Sequence, residues 1–146
     1  MSDTGLHGSG VFIADKSAWQ RAPDPSVRDD WRRALGLRRI ATCAIVKMEL
    51  LYSTRDARAF DRLDEDLDAL RDVPISRTTT QAAIAAMRQL AHRAPLLHRV
   101  SIPDALIAAA AQEAGVGVLH YDAHYDRLAE VLEFESRWIA PRGSIG

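Results

Sequence analysis

Two patterns of apolar positions alternate along this chain. Short apolar runs recur at Val11-Phe12-Ile13-Ala14, around Arg39-Ile40-Ala41, at Val73-Pro74-Ile75, at Val116–Leu119 and at Ser136–Ile139. Their length, and the branched residues in several of them, predict short buried strands. Between them lie segments with helical spacing. Asp24-Pro25 predicts a helix start, Asp as cap and Pro in the first turn, running to about Leu35 with Gly36 as a left-handed terminator. Thr42 is expected to cap a helix through Leu51. Phe60, Leu63, Leu67 and Leu70 recur every three or four positions among acids, the mark of an amphipathic surface helix. Thr80 leads into an alanine-rich helix over 82–91, followed by a basic loop over 92–100. Ser101 to Ala114 predicts a further helix closed by Gly115, and 123–132 a last one.

Strands that alternate with helices imply a parallel sheet covered on both faces. Such sheets bind ligands beyond the carboxyl ends of their strands, and Asp15 and Asp122 both follow predicted strands. With 146 residues the chain suits one domain, expected over 11–142, with residues 1–10 as a flexible leader and 143–146 as a tail. The leader has no Lys or Arg and no apolar run, so it does not read as a signal peptide. The longest apolar run, Ala105–Ala111, is far short of the ~20 residues that span a bilayer.

Composition narrows the chemistry. A hydrophobic content of 47% excludes disorder along the whole chain, and 19 basic against 20 acidic residues excludes binding to nucleic acid by net charge alone. A single cysteine, Cys43, excludes a disulfide framework or a CxxC zinc site and fits a reducing cytoplasm.

Four acids stand apart from the acidic surface helix because their neighbours are apolar: Asp15, Glu49, Asp104 and Asp122. Each has a plainer reading. Asp15 suits a cap on the turn after its strand, Glu49 an exposed helix position, Asp122 a cap on the next helix. In Ser101-x-x-Asp104, Asp104 has the spacing of a capping box. Together they suit a hard divalent cation, because Mg²⁺ and Mn²⁺ favour carboxylate oxygen. Two like charges ~4 Å apart repel by roughly 1 kcal/mol in water and ~4 kcal/mol at an effective dielectric near 20, and a metal offsets that repulsion.

The segments FIADKSAW, VKMELLYS, SIPDALIAAAA and GVLHYDAHYDRLA resemble the four acidic motifs of PIN-domain ribonucleases, and among them the VapC toxins of bacterial toxin–antitoxin pairs. The likeness runs from about Val11 to Ile139. It implies a three-layer α/β sandwich with a short parallel sheet flanked by helices, and an endoribonuclease that uses Mg²⁺ or Mn²⁺. It implies metal-binding and catalytic roles for Asp15, Glu49, Asp104 and Asp122, with Ser17 orienting the first acid. It also implies a homodimer held silent by a cognate VapB-like antitoxin, acting in the cytoplasm and not at a membrane. Three positions depart from the family pattern: Lys16 and His120 stand where Thr is common, and His124 where a further acid is frequent. Asp126, four residues after Asp122 on the same helical face, is the candidate replacement, and His124 a candidate phosphate or metal contact.

Some basic groups must meet the RNA backbone if an acidic site is to hold an anion. Arg93 and Arg99, beside the Asp104 helix, are the candidates; Trp19 and Tyr52 lie near two motifs and could stack a base, but residues of this kind are more often core or interface. Met48, Leu51 and Tyr52 share a helix with Glu49 and suit an apolar interface. The alternative function is a catalytically silent PIN-like module that binds RNA or an antitoxin; intact acids argue against it. A phosphohydrolase of another α/β family ranks third, since Asp15-Lys16-Ser17 lacks the second Asp such enzymes often carry.

Overall fold

The computed structural model describes residues 4–146; Met1–Asp3 of the expected leader lie outside them. In chain order the elements are β1 (Phe12–Ala14), α1 (Lys16–Arg21), α2 (Arg28–Gly36), β2 (Ile40–Cys43), α3 (Ala44–Tyr52), α4 (Ala57–Asp68), β3 (Arg71–Val73), α5 (Arg77–Arg93), α6 (Ile102–Ala114), β4 (Gly117–His120), α7 (His124–Leu128) and β5 (Ser136–Trp138). All strand pairs are parallel, in the order β3-β2-β1-β4-β5. The chain therefore steps to one side of β1 for two strands and then to the other. That reversal opens a crevice between the carboxyl ends of β1 and β4, where α/β sheets place their ligands.

The sheet is buried on both faces, as the apolar runs predict. Along β1, Ile13 faces one core with Ala41, Val73 and Val118, covered by α5, α6 and α7. Phe12 and Ala14 face the other core with Ile40, Leu119 and Trp31 of α2. The result is the expected three-layer sandwich. Ala108–Ala111 of α6 have no exposed surface, and their small side chains let that helix lie close against the sheet. Gly117 is required for the same reason: a Cβ there would sit 2.6 Å from the Phe12 ring and 2.9 Å from the Glu135 carbonyl oxygen.

Several boundaries differ from the sequence expectations. Asp24 accepts from Ser26, N–H at 2.9 Å and Oγ at 2.6 Å, and so builds a turn; α2 starts only at Arg28. The left-handed residue after α2 is Arg38 (φ 56°), and Gly36 stays within the helix. Thr42 is fully buried inside β2, and Cys43 caps α3 without a side-chain bond. Helix α5 starts at a Ser76–Thr79 capping box and extends to Arg93, so the basic loop is shorter than expected, and α7 ends at Leu128. Gly115 closes α6 at φ 69°, as expected.

The leader is also anchored where it is described. Gly5 N–H donates to the Trp138 carbonyl at 2.7 Å beside β5, and Leu6 is buried. Two buried arginines bind its carbonyls: Arg39 those of Leu6, His7 and Gly10, and Arg137 those of Gly5 and His7. At the other end, Ile145 exchanges two hydrogen bonds with the Tyr121 hydroxyl, which draws the tail onto β4's exit.

Candidate metal centre

Asp15 follows β1 directly and caps α1. Its Oδ2 accepts from the Ser17 N–H at 3.2 Å and from the Ser17 hydroxyl at 2.6 Å. The same hydroxyl accepts the Tyr121 N–H at 2.8 Å, so Ser17 joins the first acid to the segment leaving β4. The short helix α1 was missed in the sequence; Asp15-x-Ser17, an acid and a hydroxyl residue just after a strand, was its local signal.

Asp104 lies in the first turn of α6, where the helix N-terminus favours negative charge. The expected capping box is only half formed. Ser101 caps α6 by accepting the Asp104 N–H at 3.3 Å, but its own N–H donates to His124 Nδ1 at 3.2 Å. The histidine has taken the capping duty, and the Asp104 carboxylate turns into the crevice instead. Its Oδ1 lies 3.1 Å from the Tyr125 hydroxyl; its buried Oδ2 lies 3.5 Å from His124 Nδ1 and accepts no hydrogen bond among the described residues. Burial and then the charges of Asp15 and Asp122 push the Asp104 carboxyl up to about 8.

Asp122 is not the expected cap of α7: the N-cap is Ala123, and Asp122 stands one residue ahead of it. Its Oδ1 accepts the His124 N–H at 2.9 Å, and donor atoms of Asp104, Asp122 and His124 all lie within 4.8 Å of one another. Asp15 is joined to this group through Tyr125, whose buried hydroxyl lies 2.9 Å from Asp15 Oδ1 as well as against Asp104. Glu49, from α3, has a buried Oε1 that accepts no hydrogen bond among the described residues, and burial and the charge of Asp15 push its pKa up. Asp104, Asp122 and His124 thus cluster at the crevice, Asp15 joins them through the Tyr125 hydroxyl, and Glu49 feels the charge of Asp15.

Asp126 does not join them. Its carboxylate accepts from the Ser136 hydroxyl at 2.7 Å and from Trp138 Nε1 at 2.9 Å, which fixes it to β5. Helical spacing aligned it with Asp122 only on paper, because α7 is short and Asp122 precedes it. Tyr125 was missed: an aromatic between polar positions reads as core, and only the fold shows its hydroxyl between two carboxylates. Arg93 is held by Glu130, with Nη2 donating to its carbonyl at 3.2 Å, whereas Arg99 is exposed and has no ion pair among the described residues. Trp19 packs edge-on against Trp31 between the two cores, and Tyr52 is exposed.

Asp104 and Glu49 each hold a buried carboxylate oxygen that accepts no hydrogen bond among the described residues, and burial disfavours the charge of both. The donor set fits a hard divalent ion: it is carboxylate oxygen without thiolate, and the His124 Nδ1 that lies 3.5 Å from Asp104 and 3.9 Å from Asp122 has its lone pair held by the Ser101 N–H.

A family model of the PIN domain matches residues 12–131. The chain belongs to the PIN-domain family. Within it the chain falls with the VapC proteins. It is 43% identical over 136 residues to Ribonuclease VapC18 of Mycobacterium tuberculosis, covering 92% of this chain and 99% of that relative. Ribonuclease VapC51 of the same organism is 34% identical over 134 residues, covering 92% and 96%. Among solved structures, VapBC2 from Rickettsia felis bound to a promoter DNA fragment superposes with a TM-score of 0.67 at 18% identity, over 88% of this chain and 98% of the other. VapBC-5 from Mycobacterium tuberculosis gives 0.58 at 18% identity, over 89% and 98%. These two support the PIN fold. No helix among the described residues is long and apolar enough to cross a membrane.

Proposed function

We propose that this PIN-domain protein is a divalent-metal-dependent endoribonuclease and the toxin of a toxin–antitoxin pair. The observation that carries the reading is Asp104: a buried carboxylate with one oxygen that accepts no hydrogen bond among the described residues, clustered with Asp122 and His124 and joined to Asp15 through Tyr125. The names of the VapC relatives support RNA as the substrate, and the toxin–antitoxin complexes among the structural neighbours support an antitoxin partner. No observation favours a silent module, since all four acids are present.

Asp15, Asp104 and Asp122, with Glu49 alongside, would hold Mg²⁺ or Mn²⁺. When bound, such an ion polarises a phosphoryl oxygen and acidifies water. The remaining work falls to the chain. Ser17 and Tyr125 fix the orientation of Asp15 and Asp104 by hydrogen bonds. Glu49, with its raised pKa and unpartnered oxygen, is placed to accept a proton from an attacking water. His124 Nδ1 accepts the Ser101 N–H, so in a neutral ring the proton sits on Nε2, which can donate to a phosphate oxygen. Arg99 binds the RNA backbone at the rim. The exposed Met48 and Tyr52 on α3 offer an apolar face for a second copy of the chain or for the antitoxin. The reading places the protein in the cytoplasm with its RNA.

The test is cleavage of single-stranded and structured RNA with Mg²⁺, Mn²⁺ or EDTA. Asp15→Asn and Asp104→Asn should each lose cleavage by orders of magnitude while RNA affinity holds or rises, because negative charge has left an anion site. Equal cleavage by wild type and Asp15→Asn defeats the nuclease reading.

A further inference from the structure

Asp126, which the metal site does not use, belongs to a hydrogen-bond chain that returns to that site. The Asp122 N–H donates to His120 Nδ1 at 3.1 Å. An amide can only donate, so Nδ1 must present its lone pair, and in a neutral ring the proton then sits on Nε2. His120 Nε2 lies 2.7 Å from Ser136 Oγ, and Ser136 Oγ lies 2.7 Å from Asp126 Oδ1. The polarity runs one way throughout: Nε2–H to the serine oxygen, serine O–H to the carboxylate. Trp138 Nε1–H donates to the other oxygen, Oδ2, at 2.9 Å. Each donor faces an acceptor, and a proton on Nδ1 would set two donors against each other.

This chain closes a loop. His120 is the last residue of β4 and Asp126 lies in α7; between them run Asp122 and His124, two members of the metal cluster. Ser136 of β5 binds both ends of that segment through one hydroxyl. His120 itself has no exposed surface. It stacks on Tyr125 with centroids 4.8 Å apart and 30° between planes, and meets the edge of Trp138 at 5.1 Å. One imidazole therefore supports the backbone of Asp122 and the ring whose hydroxyl spans Asp15 and Asp104.

We propose that His120 is a positioning residue for the metal centre, held in its Nε2–H tautomer by Ser136 and Asp126 so that it fixes the Asp122 segment and the Tyr125 ring. The proposal rests on the metal-site reading for its effect on affinity, but not for the tautomer. Outer groups of this kind typically change metal affinity or activity by about 10–100-fold when removed.

The experiment uses the full chain and four proteins: wild type, Ser136→Ala, His120→Asn and His120→Gln. Asn places an amide oxygen near the Nδ1 position and keeps an acceptor for the Asp122 N–H. Gln reaches toward Ser136 but leaves that N–H without an acceptor. Two-bond ¹H–¹⁵N spectra of wild type should show the Nε2–H tautomer, and amide exchange should show Asp122 protected. Ser136→Ala should release that protection and weaken Mn²⁺ binding in calorimetry by about 10-fold. His120→Gln should do the same, and His120→Asn should restore most of both. The KM for RNA should hold at saturating Mn²⁺, since none of these groups faces the substrate. Melting in EDTA reports any loss of fold separately. An Nδ1–H tautomer, or a Ser136→Ala protein with wild-type Asp122 protection and Mn²⁺ affinity, overturns the proposal. Wild type that binds no Mn²⁺ overturns the metal-site reading instead, while tautomer and amide protection still decide whether His120 positions the segment.

Discussion

Ser17 and Tyr121 are 104 positions apart in the chain and joined by one hydrogen bond, the Tyr121 N–H to the Ser17 hydroxyl at 2.8 Å. Because that hydroxyl also donates to Asp15, a single side chain sets the spacing of the two strand ends that flank the crevice. Ser17→Ala should leave the Tyr121 N–H unpaired, at a cost of about 1–3 kcal/mol, and release Asp15 to other rotamers. At this chain length each kcal/mol lowers Tm by about 2–4 °C. Calorimetry should show that loss in EDTA, and Mn²⁺ should bind more weakly. An unchanged Tm with unchanged Mn²⁺ affinity contradicts the role of this bond.

The Tyr125 hydroxyl has one proton and two carboxylates within reach, Asp15 at 2.9 Å and Asp104 at 3.1 Å. While it donates to Asp15, Asp104 is satisfied there only by carrying a proton of its own, in keeping with its raised pKa. Tyr125→Phe keeps the buried ring and removes only this bridge. The variant should fold, and Mn²⁺ affinity should drop by about 10-fold. Calorimetric titration that finds wild-type affinity would show the hydroxyl to be a passive contact.

What was legible beforehand follows from the range of each interaction. Asp15, Glu49, Asp104 and Asp122 could be named because an acid among apolar residues is a local anomaly. The parallel sheet could be named because short apolar runs and helical spacing are local periodicities. The bonds that complete the site are not local. Nothing near Ser101 in sequence says that His124 will take its N–H and free Asp104 from capping. Nothing near residues 5–10 says that Arg39 and Arg137 will bind their carbonyls, so that stretch read as a loose leader. Asp126 misled for the converse reason: a spacing of four suggests a shared face, but Ser136 and Trp138 of β5 draw its carboxylate away.

The raised pKa of Asp104 makes the stability of the metal-free protein depend on pH. Burial, with Asp15 and Asp122 adding to it, moves this carboxyl from 3.8 to about 8. Between those values the folded state holds a proton that the unfolded chain has released. Stability therefore falls as pH rises through the window, by up to about 1.4 kcal/mol per pH unit, and levels off above the folded pKa. Glu49, also raised, adds a slope of the same sign. Asp104→Asn lacks the ionisable group, so in EDTA it should melt above wild type near pH 8 and approach it near pH 4. Mn²⁺ binding, which needs the ionised carboxylate, should release protons and tighten with pH over the same window. Parallel melting curves for the two proteins would contradict the pKa assignment.

Arg93 and Arg99 pair as RNA-binding candidates in the sequence, but the fold separates them. Arg93, in the last turn of α5, spends its guanidinium on Glu130, 3.6 Å from its carboxylate and 3.2 Å from its carbonyl. Arg99 stays exposed just ahead of α6, whose first turn carries Asp104, with no ion pair among the described residues. A phosphate at the crevice meets Arg99 without first breaking a bond, while Arg93 must give up its partner. Arg99→Gln should therefore weaken binding of single-stranded RNA and flatten its salt dependence by about 0.7 in log–log slope, the value for one phosphate no longer neutralised. Arg93→Gln should change that slope less. Cleavage at saturating RNA should survive in both, because neither guanidinium touches the acids. Fluorescence anisotropy across a salt series, with a metal-free buffer to prevent turnover, reads the slopes directly. Equal slopes for wild type and Arg99→Gln would move the RNA path away from the α5–α6 loop.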